Sequence, residues 1–599
     1  MTHDRDDTPV SGGFDLRLAR RLLGILAPHK WWTLASLGVV LAGIVPSLVQ
    51  PYLYKVAIDQ HILPGRVEGL QWIALAYLAS LLVESALLYG EVLMLEQTGQ
   101  RLIHDLRLRL FGHLQKLSSS FYDRNPVGRI VTRVTSDVES INELFSSGLI
   151  STLADVLKVA AIVAILWNMD ARLTLLSFAI LLPLGALSAL FSRALRRVYR
   201  ALRAQVARIN VHLQESLSGV RLLQIFRAEP QNRRQFEAIS REHMEVEKRS
   251  ALLEGALSAL VELVGTTAVA LLLWSGGIGI VAGSVSLGTL VAFLQYVQRF
   301  FGPLRELSGR YAVMQAALAS AEKIFGLLDT PPEIVAPPAP VRPERARGEI
   351  EFRDVWFAYA GGEPVLRGLN LRIEPGERVA LAGATGAGKT TLVKLLTRLY
   401  DPQRGSIRLD GVDLRDMDPR EVRRRIGLVL QDGTLFAETL GWNLRLGSDD
   451  FDEGRMWEAL RQTRAEDWVR ALPLGLEEPV RERGANFSAG QRQILSLARA
   501  LLFDPPVLIF DEATSAIDPA TDAEIRASVR EAARGRTLIL IAHRPASLDL
   551  ADRVIAIDGG TSHQAAFSIV PQHSSDPPLR SPLKQPKQEA AGCCSDETT

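Results

Sequence analysis

The sequence predicts an α-helical transmembrane domain of about six spans followed by an α/β domain built around a phosphate-binding loop. Three observations carry that expectation. Long apolar runs crowd the first half of the chain. Arginine and lysine sit on alternate connections between those runs. In the second half, Gly383-Ala384-Thr385-Gly386-Ala387-Gly388-Lys389-Thr390 lies between a strand pattern and a helix pattern.

Length and composition set the frame. At 599 residues the chain is too long for one ordinary domain. Hydrophobic residues at 47% and charged residues at 23% are close to soluble-protein averages, and the mean hydropathy of +0.10 is only slightly apolar, but these averages hide an uneven distribution. Net charge is +1, which gives no global electrostatic case for nucleic acid as a partner. The two cysteines, Cys593 and Cys594, are adjacent near the end, so neither a disulfide framework nor a thiolate metal site supports the core. Residues 1–13 are polar and charged and lack the pattern of a cleavable signal peptide, so insertion is expected to rest on the spans themselves.

Apolar stretches at 31–52, 70–94, 149–169, 173–191, 257–280 and 287–300 approach or reach the roughly 20 residues a bilayer crossing needs, the last by extending over 283–303. Arg17, Arg20, Arg21 and Lys30 precede the first. Arg101, Arg107, Arg109, Lys116, Arg124, Arg129 and Arg133 separate the second from the third, and Arg196, Arg197, Arg200, Arg203 and Arg208 follow the fourth. The intervening short connections are poor in basic residues, which predicts both termini on the cytoplasmic side. Glu84, Glu91 and Glu262 are candidates to face a cavity, because charge in lipid is costly.

The two long connections, 97–142 and 192–248, are charged and carry Leu, Ile and Val at helical spacing. A helix of about 25 residues would project about 40 Å beyond the lipid. Each excursion carries an aromatic and a proline at its far end, at 121–126 and 226–230. Position alone does not choose between a hairpin turn and a docking knob. Prolines at 331, 332, 337, 338, 340 and 343 mark a semi-rigid linker over 330–347. It divides a membrane domain, 1–329, from a second domain, 348–560.

In the second domain, residues 378–382 read as a buried strand and 391–396 as a helix. Between them, glycines let backbone N–H groups turn toward phosphates, and the helix N-terminus adds its dipole. Lys389 is expected to neutralise the β- and γ-phosphates and the Thr390 hydroxyl to ligate Mg²⁺. The strand 507–510 ends in Asp511 and Glu512. Asp511 is placed to hold Mg²⁺ and Glu512 to polarise an attacking water. Ser488 followed by Gln491 reads as a capping box opening a helix, whose free N–H groups suit an anion.

This ordered set resembles the nucleotide-binding domain of ABC transporters. Residues 383–390 are similar to Walker A and 507–512 to Walker B. Phe487-Ser488-Ala489-Gly490-Gln491 resembles the signature, Leu430-Gln431-Asp432 the Q-loop, 515–518 the D-loop, and Ile541-Ala542-His543-Arg544 the switch-histidine loop. The resemblance implies that Tyr359 stacks on adenine and that Gly383 to Thr391 cradle the phosphates. It implies that Ser488, Gly490 and Gln491 meet ATP held by a second subunit. Gln431 contributes to Mg²⁺ binding and to catalysis, with Glu512 and His543. Upstream, 120–129 resembles the first coupling segment of exporter-type ABC proteins and 283–290 the start of their sixth span. A type I exporter-like architecture follows, with 121–128 and 226–230 as coupling helices.

Two departures stand out. Ala489 replaces a signature glycine, which favours the catalytically competent half of a heterodimer over a homodimer. After Asp558-Gly559-Gly560 the family's final segment is missing or replaced. Residues 561–599 are Pro- and Ser-rich, a composition expected to be disordered. The expected function is ATP-driven export of a drug, lipid or peptide across the bacterial inner membrane, by a dimer whose ATPase domains are cytoplasmic. An ATP-gated channel is the alternative. The expected partners are a second half-transporter, membrane lipids and a small-molecule, lipid or peptide substrate.

Overall fold

The computed structural model describes residues 16–564 apart from 345, 385, 432, 512–518 and 543–544, and leaves undescribed the side chains of 180–196 and of scattered other positions, 304–309 among them. Thr385, Glu512 and His543 of the expected site therefore lie outside the described residues, as do the D-loop and residues 565–599. The chain forms two units. One runs to Leu117 and resumes over Asn125–Pro331; the other comprises Ser118–Arg124 and everything from Pro332.

The first unit is helical. A short helix α1 (Leu16–Leu26) leads into α2 (Lys30–Val56), α3 (Leu70–Leu114), α5 (Ile150–Met169), α6 (Ala171–Ser218), α7 (Glu229–Val281) and α8 (Leu287–Leu328). Among the described residues, four helical stretches are long and apolar enough to cross a membrane: Arg20–Ile62, Leu70–Leu114, Ile150–Met169 and Glu229–Val281. The expected spans 173–191 and 287–300 fall in α6 and α8; side chains of 180–191 lie outside the description, whereas 287–300 is described throughout and its helix is not among these four. At 48 and 53 residues, α6 and α7 exceed any bilayer crossing and extend some 70–80 Å.

Local chemistry fixes the helix ends. Asp170, between α5 and α6, accepts the N–H groups of Arg172 and Leu173 at 2.9 Å each, so one side chain ends the turn and caps the next helix. Ser286 caps α8 by accepting the N–H of Thr289 at 3.1 Å. The Asp59 carboxylate accepts both the Ser286 hydroxyl at 2.5 Å and the Gly288 N–H at 2.8 Å, placing negative charge at a helix N-terminus. Ile162, Leu166, Leu272, Phe293 and Tyr296 form the centre of an apolar cluster in this unit.

Pro46 and Pro51 both lie inside α2. Proline lacks the N–H that would bond the carbonyl four residues back, and lipid offers no replacement. For Pro51 a side chain supplies it. Arg299 donates to the Ser47 carbonyl and, at 2.5 Å, to Oε1 of Gln50; Gln50 in turn donates to Glu84 at 2.5 Å. The Tyr296 hydroxyl donates to the Leu48 carbonyl.

The second unit carries two sheets. The antiparallel sheet has the order β2-β1-β4-β5, from Ile350–Phe357 (β1), Leu366–Ile373 (β2), Arg404–Leu409 (β4) and Val412–Asp413 (β5). The larger has the order β10-β9-β3-β8-β7-β6, where Arg378–Ala382 (β3), Ile426–Val429 (β6), Val507–Asp511 (β7), Thr537–Ile541 (β8) and Arg553–Asp558 (β9) run parallel. β7 and β8 are almost continuously apolar because both faces of a parallel sheet are covered.

Two expectations change. Thr561–Gln564 (β10) pairs antiparallel with β9, so the segment after residue 560 opens as a strand and not as a disordered tail. Gly559 and Gly560, at φ 54° and 83°, make the two-residue turn that joins them. The helix α4 (Ser119–Arg124) groups with the second unit, although it lies within the first half of the chain. The linker is held by side chains of the same unit: Arg398 donates to the Val335 carbonyl and Arg425 to that of Pro343, while the Val341 N–H bonds the Asp416 carbonyl at 2.8 Å.

Candidate functional site

Strand register gathers the site. Leu381 of β3 and Asp511 of β7 both pair with Ile541 of β8, so the three stand in one row at the carboxyl edge of the sheet. Segments leaving that edge in parallel sheets form the usual ligand crevice. The glycine loop leaves β3 here, Asp511 ends β7, and Gln431 follows β6, whose Val429 is in register with Phe510. In sequence, the undescribed residue 512 comes next after β7 and residue 543 comes two after the end of β8.

The loop needs its glycines. Gly383 has φ 154° and a Cβ there would stand 2.4 Å from the Ile557 carbonyl oxygen. Gly388, at φ 106°, precedes the helix α9 (Lys389–Leu396), and a Cβ would meet Leu366 at 2.8 Å. Lys389 is 5% exposed, and its ammonium donates to the carbonyls of Gly383 at 2.6 Å and Ala384 at 3.0 Å, folding across the loop. Burial pushes its pKa down, while the nearby Asp511 carboxylate pulls it up. Thr390 and Gln431 are exposed, and Asp511 is half-buried. A hydroxyl, a carboxamide and a carboxylate are hard oxygen donors, the set that Mg²⁺ takes.

Tyr359 lies just past β1. Its ring is edge-on to Phe357 at 5.0 Å and to Tyr400 at 5.5 Å, and its hydroxyl shares a 3.1 Å hydrogen bond with Thr391 of α9. The Thr391 side chain is thus buried against Tyr359. At the signature, Ser488 caps the helix α10 (Ala489–Leu501) as the sequence suggests. Its hydroxyl accepts the Gln491 N–H at 3.1 Å and the Gln491 carboxamide accepts the Ser488 N–H at 2.9 Å. Gly490 is buried; a Cβ would stand 2.3 Å from the Thr521 methyl. Ala489 occupies the first turn and is half-buried.

Sequence reasoning passed over three residues. Arg499, on α10, is half-buried and donates to the carbonyls of Asn443 at 2.8 Å and Thr434 at 3.1 Å, tying the signature helix to the segment after Gln431. Burial lowers its pKa. Tyr400 donates its hydroxyl to Asp123 of α4, and Glu333 binds the same helix through Ser120 and Arg124. No local pattern signals these long-range contacts.

Comparison with known proteins places the architecture. Residues 33–304 match the ABC transporter transmembrane region and residues 366–515 match the ABC transporter domain. The ATP-dependent lipid A-core flippase of Syntrophus aciditrophicus (strain SB) is 33% identical over 551 residues, 92% of this chain and 91% of its own. The chain belongs to the ABC transporter family. A probable multidrug resistance ABC transporter ATP-binding/permease protein of Bacillus subtilis (strain 168), YheH, is 36% identical to this ABC transporter over 476 residues, 79% of this chain and 70% of its own. The solved structure of a bacterial Atm1-family ABC exporter with ATP bound matches at a TM-score of 0.72 and 26% identity, covering 91% of this transporter and 95% of that chain. This ABC transporter is an exporter-type membrane protein that binds ATP and couples its hydrolysis to translocation.

Proposed function

We propose that this ABC transporter exports a hydrophobic or amphipathic substrate, a drug, lipid or peptide, across the bacterial inner membrane as half of a dimer. The observation that carries the reading is one chain in which helices long and apolar enough to cross a membrane precede a glycine loop, a lysine folded across it and a carboxylate at the end of strand β7. Relatives named as a lipid A-core flippase and a probable multidrug transporter support this substrate class. Basic residues on alternate connections support cytoplasmic termini and ATPase domain.

In this mechanism the base of ATP stacks on Tyr359. Backbone N–H groups from Gly383 through Thr391, with Ala384, Thr385, Gly386, Ala387 and Gly388 between, hold the phosphates. Lys389 releases its carbonyl partners and turns to the β- and γ-phosphates. Thr390, Gln431 and Asp511 would hold Mg²⁺, which when bound offsets phosphate charge. Glu512 polarises the attacking water, and His543 and Gln431 complete the catalytic set. Ser488, Gly490 and Gln491, at the positive end of α10, face the γ-phosphate held by the partner subunit. ATP then favours the closed dimer because it binds that state more tightly. Ala489 adds a methyl at this interface and supports a heterodimer, with this chain supplying the complete Walker motifs.

Reconstitution into proteoliposomes tests the reading. ATP-dependent accumulation of a fluorescent amphiphilic dye or lipid, absent with Glu512→Gln, is expected; ATP turnover without movement of either class overturns it. Affinity purification in native lipid reads the partner: co-purification of a second, related chain is expected, and a self-pair alone excludes the heterodimer.

A further inference from the structure

Tyr400 occupies a junction that no motif explains. It is 8% exposed, on the turn that follows α9. Its ring meets Tyr359 at 5.5 Å and 86° and Phe357 at 5.4 Å and 68°, both edge-on, the geometry aromatic quadrupoles favour. The Lys394 ammonium of α9 stands 5.2 Å from the Tyr359 ring and 5.8 Å from that of Tyr400, joining the two through cation–π attraction. The Tyr400 hydroxyl donates to Oδ2 of Asp123. Burial, and then this carboxylate, push the phenol's pKa well up, so it keeps its proton at any physiological pH.

Glu333 holds the same helix. The Ser118 hydroxyl oxygen accepts the N–H groups of Glu333 at 2.9 Å and Ile334 at 3.0 Å, while the Glu333 carboxylate accepts from Ser120 and, at 2.9 Å, from Arg124. A helix held by Glu333 at Ser120 and Arg124 and by the Tyr400 hydroxyl at Asp123 is suited to respond to that tyrosine's orientation.

Resting on the reading of Tyr359 as the base-stacking residue, we infer that Tyr400 is a positioning residue that reports filling of the adenine site to α4. A purine on Tyr359 restrains that ring. Its edge contact restrains the Tyr400 ring, and the Tyr400 hydroxyl is then held on Asp123. The base loads that ring directly, whereas the phosphates reach it only through the hydrogen bond between Thr391 and the Tyr359 hydroxyl. The two states that such coupling requires are the restrained and unrestrained aromatic cluster.

Hydrogen exchange on the full chain in lipid nanodiscs, with the non-hydrolysable analogue AMP-PNP and Mg²⁺, tests this. In the wild type, the analogue should slow exchange over 118–124 by about tenfold, the scale of one charge-assisted hydrogen bond. Tyr400→Phe, which keeps the ring, and Asp123→Asn, which keeps the shape, should bind the analogue with unchanged affinity yet lose the slowing. Inorganic tripolyphosphate with Mg²⁺ should slow 118–124 clearly less than AMP-PNP does in the wild type. Slowing retained in both variants, or equal slowing by tripolyphosphate, overturns the relay. So does faster exchange of the variants without nucleotide when their response to it is preserved, which marks a structural role only. A wild-type chain that binds no AMP-PNP sinks the nucleotide assignment itself; one that binds it with no response at 118–124 sinks the relay alone.

Discussion

The guanidinium of Arg299 donates to the carbonyl of Ser47, the acceptor left without its helical partner by Pro51. A side chain from α8 thereby repairs a backbone defect in α2. Arg299→Leu should destabilise the protein by about 1–3 kcal/mol, the cost of an unsatisfied buried polar group. Pro51→Ala restores the missing N–H, so the double variant should recover part of that loss. Thermal unfolding in detergent micelles reads the cycle; strictly additive losses would show that the two residues do not interact.

Glu512→Gln should bind ATP as the wild type does and lose turnover by about 10²–10⁴-fold, the range for removing a general base. Phosphate release from a correctly assembled dimer measures it. Undiminished hydrolysis would remove Glu512 from its assigned role.

Gly383→Ala should weaken ATP binding about tenfold or more, because the new methyl would press on the Ile557 carbonyl at a φ that side chains resist. Titration with a fluorescent ATP analogue gives the affinity. Wild-type binding would mean that the loop opens without cost.

Acid should loosen the second unit through Asp552. Its hydrogen bond with the Arg378 guanidinium, at 2.5 Å, holds the carboxylate's pKa below its usual value. A depressed folded value means that the contribution is present above the unfolded pKa of about 3.9 and fades as pH falls through the folded one. Both side chains are nearly half exposed, so the effect is that of a surface pair, under about 1 kcal/mol. Arg378→Gln should flatten the acid limb of stability below about pH 4 while leaving neutral pH little changed; an unchanged limb would show the pair to be inert.

The parts of this protein legible in its sequence are those whose chemistry is local. The glycine loop needs only its own backbone, and the Ser488–Gln491 box spans one helical turn. The strand-end position of Asp511 follows from an apolar run alone. Arg499 was not legible, since an arginine on an amphipathic helix reads as a solvent-facing residue; here it is half-buried, with two carbonyls over fifty residues away taking its donors. The contacts of Asp123 and Glu333 with distant sequence were hidden for the same reason. The strand Thr561–Gln564 had a readable signal in the two glycines before it, which the polar composition that follows obscured.

The row formed by Leu381, Ile541 and Asp511 makes the length of β7 a gauge. Successive side chains of a strand point to opposite faces. Any of Val507 to Phe510 tolerates exchange for another apolar residue of similar volume. Losing or gaining a single residue there would turn the carboxylate into the apolar interior or swing Phe510 out toward the phosphates. Insertions and deletions in this strand are therefore far more damaging than substitutions, and drift within it is confined to side-chain size.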